Sequence, residues 1–169
     1  LMITGYVNEE EIKPTLERVR ARLQELLDLI ADLLELARLT QTSDLPETLY
    51  EPQPMGSQLQ EALDLFGKQA RERKQSLEVE IRDRPIVMVD RKHLKQLWMN
   101  LISNAIKYTP EGGRIRVTLR QDSEHAIGTV EDTGIEISGD DQARLFQEFF
   151  RTDRARASGE IGTGLGLSI

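Results

Sequence analysis

From residue 16 onward, apolar side chains fall at Leu16, Val19, Leu23, Leu26, Ile30, Leu33 and Ala37, spaced alternately three and four apart. This is a heptad seam kept over three repeats, and it predicts a long helix. Leu27 and Leu34, with Leu29 and Leu36, widen the stripe on both sides. A two-stranded coiled coil needs only the seam, whereas a stripe this broad suits a four-helix bundle. One helix cannot bury such a face alone. The simplest supply of partners is a helical hairpin from each of two identical chains; the alternative is a helix packed inside its own domain. Residues 40–46, Thr-Gln-Thr-Ser-Asp-Leu-Pro, read as a linker, which divides the chain into a helical part over 1–45 and a second domain over 46–169.

In the second domain the period changes. Ser57 with Gln60 three residues on has the capping-box pattern, and Leu59, Ala62, Leu63, Leu65, Phe66 and Ala70 predict a helix to about Lys74. Leu77, Val79 and Ile81 alternate with Glu78 and Glu80, as in a half-buried strand, and Asp83-Arg-Pro85 turns the chain into the strand Ile86-Val-Met-Val89. Asp90 is placed to cap a helix whose apolar face is Leu94, Leu97, Trp98, Leu101, Ile102, Ala105 and Ile106, ended by Thr109-Pro-Glu-Gly-Gly113. Strands follow at about 114–120 and 126–131, then a helix at 140–150. Helices mixed with mostly antiparallel strands imply an α+β fold, a two-layer α/β sandwich.

Composition narrows the function. The net charge of -7 argues against a nucleic-acid footprint, which requires a basic surface. The chain has no cysteine, which excludes disulfides and thiolate metal sites and fits a reducing cytoplasm. The most apolar stretch, Leu23 to Leu39, is interrupted by Glu25, Asp28, Asp32, Glu35 and Arg38, so it cannot span a bilayer. The expected location is cytoplasmic, with no membrane contact by these residues. The abrupt start at Leu1 and the stop at Ile169 suggest a piece of a longer protein, whose membrane anchor, where one exists, would lie outside it.

Candidate chemistry concentrates between residues 100 and 166. Asn100, Asn104 and Lys107 recur at four and three residues and share one helical face, next to Tyr108. Asp132-Thr-Gly134 follows a strand, its carboxylate reading as buried. Leu145-Phe-Gln-Glu-Phe-Phe150 precedes Arg151 and Arg154, and Gly162-Thr163-Gly164-Leu165-Gly166-Leu167 closes the series after a run rich in small residues. An amide oxygen suits magnesium, which takes hard oxygen ligands and keeps part of its water shell. A glycine-rich turn opening a helix offers backbone amides to phosphate oxygens.

The order and spacing of these segments resemble the N, G1, F and G2 boxes of two-component sensor histidine kinases, whose ATP-binding (Bergerat-type) fold is shared with gyrase, heat-shock-90 and MutL proteins. The resemblance implies ATP and Mg2+ as cofactors. It makes Asn104 the metal ligand, with Asn100 supporting it and Lys107 reaching a phosphate. Tyr108 would pack near the adenine, Asp132 would accept a hydrogen bond from its amino group, and Gly134 would let the backbone approach the base. Phe146, Phe149 and Phe150 would anchor the base of a lid, from which Arg151 or Arg154 swings toward the γ-phosphate. Gly162, Thr163, Gly164, Leu165 and Gly166 would hold the phosphates. It also implies a homodimer through the N-terminal helix and a response-regulator receiver domain as partner. Leu1-Met-Ile-Thr-Gly-Tyr6 resembles the last turns of the first dimerisation helix, joined to Leu16 by a short hairpin, so the acceptor histidine would precede Leu1. Neither His93 nor His125 has the acidic residue and proline that follow such a histidine, so self-phosphorylation of this chain is not expected.

One position departs from the family pattern Asp-x-Gly-x-Gly: Glu136 stands where the second glycine belongs. At positive φ a glutamate there would cost about 1–2 kcal/mol. A carboxylate beside a triphosphate would cost on the order of 1–4 kcal/mol in a half-solvated site. Both penalties vanish if the side chain points outward from ordinary backbone. Two rivals follow, a nucleotide-binding regulatory module without transfer, suggested by Glu136, and a gyrase- or chaperone-like ATPase. Against the ATPase stands Asn100, which replaces the glutamate general base those proteins place four residues before the metal-binding asparagine.

Overall fold

The computed structural model describes residues 9–41 and 50–168. The expected linker core (42–46), the domain boundary within it, and the segment before Glu9, including Tyr6, lie outside the described residues. Helix α1 runs Glu9–Gln41 without interruption and contains Pro14. It starts inside the stretch read as a hairpin, and Pro14, its sixth residue, lies past the unpaired N-terminal amides, so the helix forgoes one N–H···O bond there. Its stripe faces solvent: Leu16, Val19, Leu23, Leu26, Leu27, Ile30, Leu33 and Leu34 are all exposed, Leu16 to 61%. The described residues of the second domain leave this stripe uncovered, although Ala31 of the same helix borders the cavity described below.

The second domain begins with β1 (Glu51–Pro54), which pairs antiparallel with β3 (Ile86–Val89). Pro52 and Pro54 hid this strand from sequence reading. Proline donates nothing to a ladder and survives only at a sheet edge, where β1 lies. α2 (Met55–Glu72) starts two residues before the expected Ser57; its N-cap is Pro54, with no side-chain cap, and the Met55 amide donates to Pro85 O at 3.0 Å. The second sheet has order β2 (Ser76–Ile81), β4 (Arg114–Gln121), β5 (Ala126–Asp132), with β2 parallel and β5 antiparallel to β4. Being central, β4 buries Ile115, Val117 and Leu119 completely on its inner face. The edge strand β2 leaves Val79 and Ile81 exposed, so the half-buried alternation expected there holds only at Leu77.

α3 (Arg91–Tyr108) crosses behind this sheet, with Asp90 as N-cap accepting from the Lys92 amide at 2.7 Å. Its buried face, Leu94, Trp98, Ile102, Ala105 and Ile106, meets Leu59, Ala62 and Leu63 of α2 over the sheet. The two layers are thus helices α2 and α3 on β2-β4-β5. Trp98 lies against β5 at Gly128, where a Cβ would come within 2.4 Å of the indole. The helix expected over 140–150 is only α4 (Gly139–Gln142), followed by turns, since Phe149 takes φ of 61°. α5 (Asp153–Ala157) is capped by the Thr152 hydroxyl.

Candidate nucleotide site

The polar face of α3 borders a cavity of about 440 Å3. Asn100, Asn104, Lys107 and Tyr108 line one side; Asp132 and Ile135, just after β5, line another; Arg151 and Gly162–Gly164 close it. The segments singled out in sequence therefore meet around one space. Across it, Asn100 Nδ2 donates to Gly166 O at 2.6 Å, while Asn100 Oδ1 accepts from Gln96 Nε2 at 3.1 Å. With both ends of its amide engaged, Asn100 ties α3 to the glycine-rich segment. Asn104, one turn on, lines the cavity, and its side-chain amide has no partner among the described residues. A free amide oxygen beside a lysine fits a hard cation bound with phosphate.

Asp132 is exposed rather than buried, because β5 ends there at the cavity rim. One carboxylate oxygen accepts from the Gly134 amide at 2.8 Å, and the other is left for a ligand donor. Gly134 does not line the cavity. Its missing side chain serves Tyr108: a Cβ would lie 2.5 Å from Tyr108 O, which accepts from the Ile135 amide at 3.2 Å. The close approach made there is to the end of α3.

Glu136 has ordinary negative φ and a side chain 86% exposed. Both penalties considered for it are absent. Its carboxylate instead lies 3.6 Å from Arg154, whose guanidinium also donates to Glu136 O. Arg154 is thus held outside the cavity. Arg151 does line it, but its Nη2 donates to Ala155 O and Glu160 O at 3.0 and 2.6 Å, which commits that nitrogen to the lid backbone.

The aromatic anchor is narrower than expected. Phe146 is 74% exposed and Phe149 half exposed, because the chain leaves helical geometry here; Phe150 alone lines the cavity, with Arg144 stacked 4.3 Å above its ring. The lid base is closed through the backbone. Gly164 sits at φ of 77°, and a Cβ there would come within 2.7 Å of the Phe149 carbonyl carbon. Leu165 is fully buried and does not line the cavity; its amide donates to the Thr163 hydroxyl. Residues 165–168 form one turn, closed by the Ser168 amide on Leu165 O, in place of the helix expected from Gly162 onward. Sequence reading missed Gln96 as the residue that orients Asn100, although its i, i+4 spacing was visible. It also missed Ile137 and Ile161, apolar lining with no local signal. His93 is half-buried at the start of α3, and His125 is exposed in the β4–β5 hairpin; neither lines the cavity.

Residues 89–169 match the family of histidine kinase-, DNA gyrase B-, and HSP90-like ATPases, and this part of the chain belongs to it. More particularly, the chain is homologous to sensor histidine kinases. Over 153 residues it is 35% identical to the sensor-like histidine kinase SenX3 of Mycolicibacterium smegmatis, an alignment covering 90% of this chain and 39% of SenX3. Over 76 residues it is 50% identical to the sensor histidine kinase RppB of Synechocystis sp., covering 45% of this chain and 17% of RppB. Among solved structures, full-length ShkA in complex with AMPPNP superposes with a TM-score of 0.73 at 27% identity, covering 98% of this chain and 33% of ShkA. The chain spans about two fifths of SenX3 and less of the other two. Among the described residues no helix is long and apolar enough to cross a membrane.

Proposed function

We propose that this chain is the ATP-binding kinase core of a sensor histidine kinase, donating the γ-phosphoryl group of ATP to a histidine for relay to a response-regulator receiver domain. The observation that carries this is the convergence of Asn104, Lys107, Asp132 and the glycine-rich segment around one cavity, locked by the Asn100–Gly166 hydrogen bond. Asp132, with one oxygen free, accepts from the adenine amino group; a base with oxygen at that position would face it without a donor between them. Asn104 holds magnesium and Lys107 neutralises a phosphate. When bound, magnesium spreads the charge that develops on the phosphates during transfer. The residues of this chain position and neutralise, and no side chain serves as a covalent nucleophile. The acceptor histidine belongs to a dimerisation bundle, to which α1 contributes its exposed stripe from each of two chains. The site operates in the cytoplasm, where ATP is supplied.

Isothermal titration of the chain with ADP and Mg2+, beside Asn104→Ala, tests this reading. Saturable heat that requires magnesium, weakened in the variant, is expected; no heat at millimolar nucleotide would sink it. The regulatory-module rival lost its motive when Glu136 proved to face solvent. The ATPase rival needs a general base where Asn100 stands, and both ends of that amide are already engaged.

A further inference from the structure

Arg73, outside the cavity lining, makes contacts that no motif predicts. It is the C-cap of α2. Its Nη1 donates to Ile106 O and Lys107 O, both at 3.3 Å, capping the last turn of α3, which carries Lys107 and Tyr108. Two residues on, Gln75, 6% exposed, donates to Ile106 O and Thr109 O at 2.9 and 2.6 Å. Lys74 between them takes φ of 54°, which turns the backbone so that both neighbours reach the same helix end. The same Arg73 guanidinium forms a bidentate pair with Glu160, at 2.8 and 3.1 Å. Fork geometry of this kind fixes orientation as well as distance. That hydrogen-bonded partner holds the Arg73 pKa above its ordinary value, against the opposing effect of partial burial. Glu160 lies in the lid, immediately before Ile161, Gly162 and Thr163 of the cavity wall, and its carbonyl accepts from Arg151.

We infer that Arg73 is a positioning residue that clamps the lid, through Glu160, to the end of α3, so that one guanidinium sets both the phosphate-side lysine and the wall facing it. The clamp governs how long a nucleotide stays, since the lid must lift from α3 for release. The pair is about a quarter to a third exposed, so high salt weakens it. This inference rests on the nucleotide reading above. Its conformational half stands without that reading.

Arg73 has two tasks, capping α3 and holding the lid, and Glu160→Gln separates them because it leaves the cap untouched. Hydrogen exchange of the peptide covering residues 153–163, without nucleotide, reads the lid. Dissociation of a fluorescent ADP, with Mg2+, reads retention. For Glu160→Gln the clamp predicts exchange and off-rate each raised about fivefold, the effect of losing a partly exposed ion pair. Arg73→Met raises both at least as far, and the double variant does no worse than Arg73→Met, since both changes remove one interaction. Glu160→Gln exchanging like the unchanged chain would overturn the clamp, as would effects of the two single changes that simply add. Should the unchanged chain bind no nucleotide, the functional reading falls, while the exchange data still decide the clamp.

Discussion

Helix α1 and helix α3 carry similar apolar content and meet opposite fates. On α3, Trp98, Ile102 and Ile106 are essentially without solvent contact; on α1, Leu16, Leu23 and Leu26 are more than half exposed. The difference lies in what surrounds each stripe. α3 has α2 beside it and β4 and β5 beneath, so its core is complete within the chain. α1 has the pattern of a buried helix and no comparable cover. One region closes its core within the chain, and the other leaves its stripe in solvent.

Truncating a member of the closed core should have the largest effect on this contrast. Ile102→Ala is expected to destabilise the ATP domain by about 2–5 kcal/mol, read from urea unfolding. A loss below 1 kcal/mol would mean that α3 is less tightly enclosed than it looks. Next comes Gly134→Ala, where the added methyl meets Tyr108 O; overpacking of this kind costs about 1–3 kcal/mol and should lower ADP affinity, because it displaces the end of α3. Gly139→Ala is the control, since nothing lies within 4 Å of its Cβ position. Only the first should respond. Asp90→Ala removes the cap of α3 and should cost about 1 kcal/mol, with nucleotide affinity little changed because the loss falls at the far end of the helix. The smallest effect on the domain sharpens the comparison most. Leu26→Glu with Ile30→Glu should leave its unfolding midpoint within about 0.5 kcal/mol of the unchanged chain, as for surface sites, while light scattering shows loss of self-association. If the double change instead unfolds the domain, α1 is part of that core.

Periodicity made α2, α3 and β4 legible because each has one buried face, and Asp90 marked a helix start through a hydrogen bond two residues away. Local reading failed where a distant contact decides. Pro52 and Pro54 argue against a strand until β3 lies beside them, and the helical pattern after Gln142 gives way where the backbone closes on Gly164. At the site, residue types and spacing picked out side chains on α3 that border one cavity. How those side chains are held was hidden: the bond from Asn100 to Gly166 spans 66 positions, and that from Arg73 to Glu160 spans 87. Glu136 taught the converse. A departure from pattern that looked costly in the sequence carries neither strain nor a carboxylate in the cavity once its side chain is seen in solvent.

The contact between Trp98 and Gly128 couples two positions by volume. The indole ring fills the space a side chain on β5 would take, and its buried Nε1 finds no acceptor among the described residues, so the ring is held there by fit alone. Neither position can drift independently. A methyl at 128 calls for a smaller ring at 98, and a smaller ring at 98 leaves a void that only a larger residue at 128 would fill. In sequences that keep this architecture, size at the two positions should trade off, Trp with Gly or a lesser aromatic with Ala or Ser. Anyone redesigning this core must treat the two positions as a single variable.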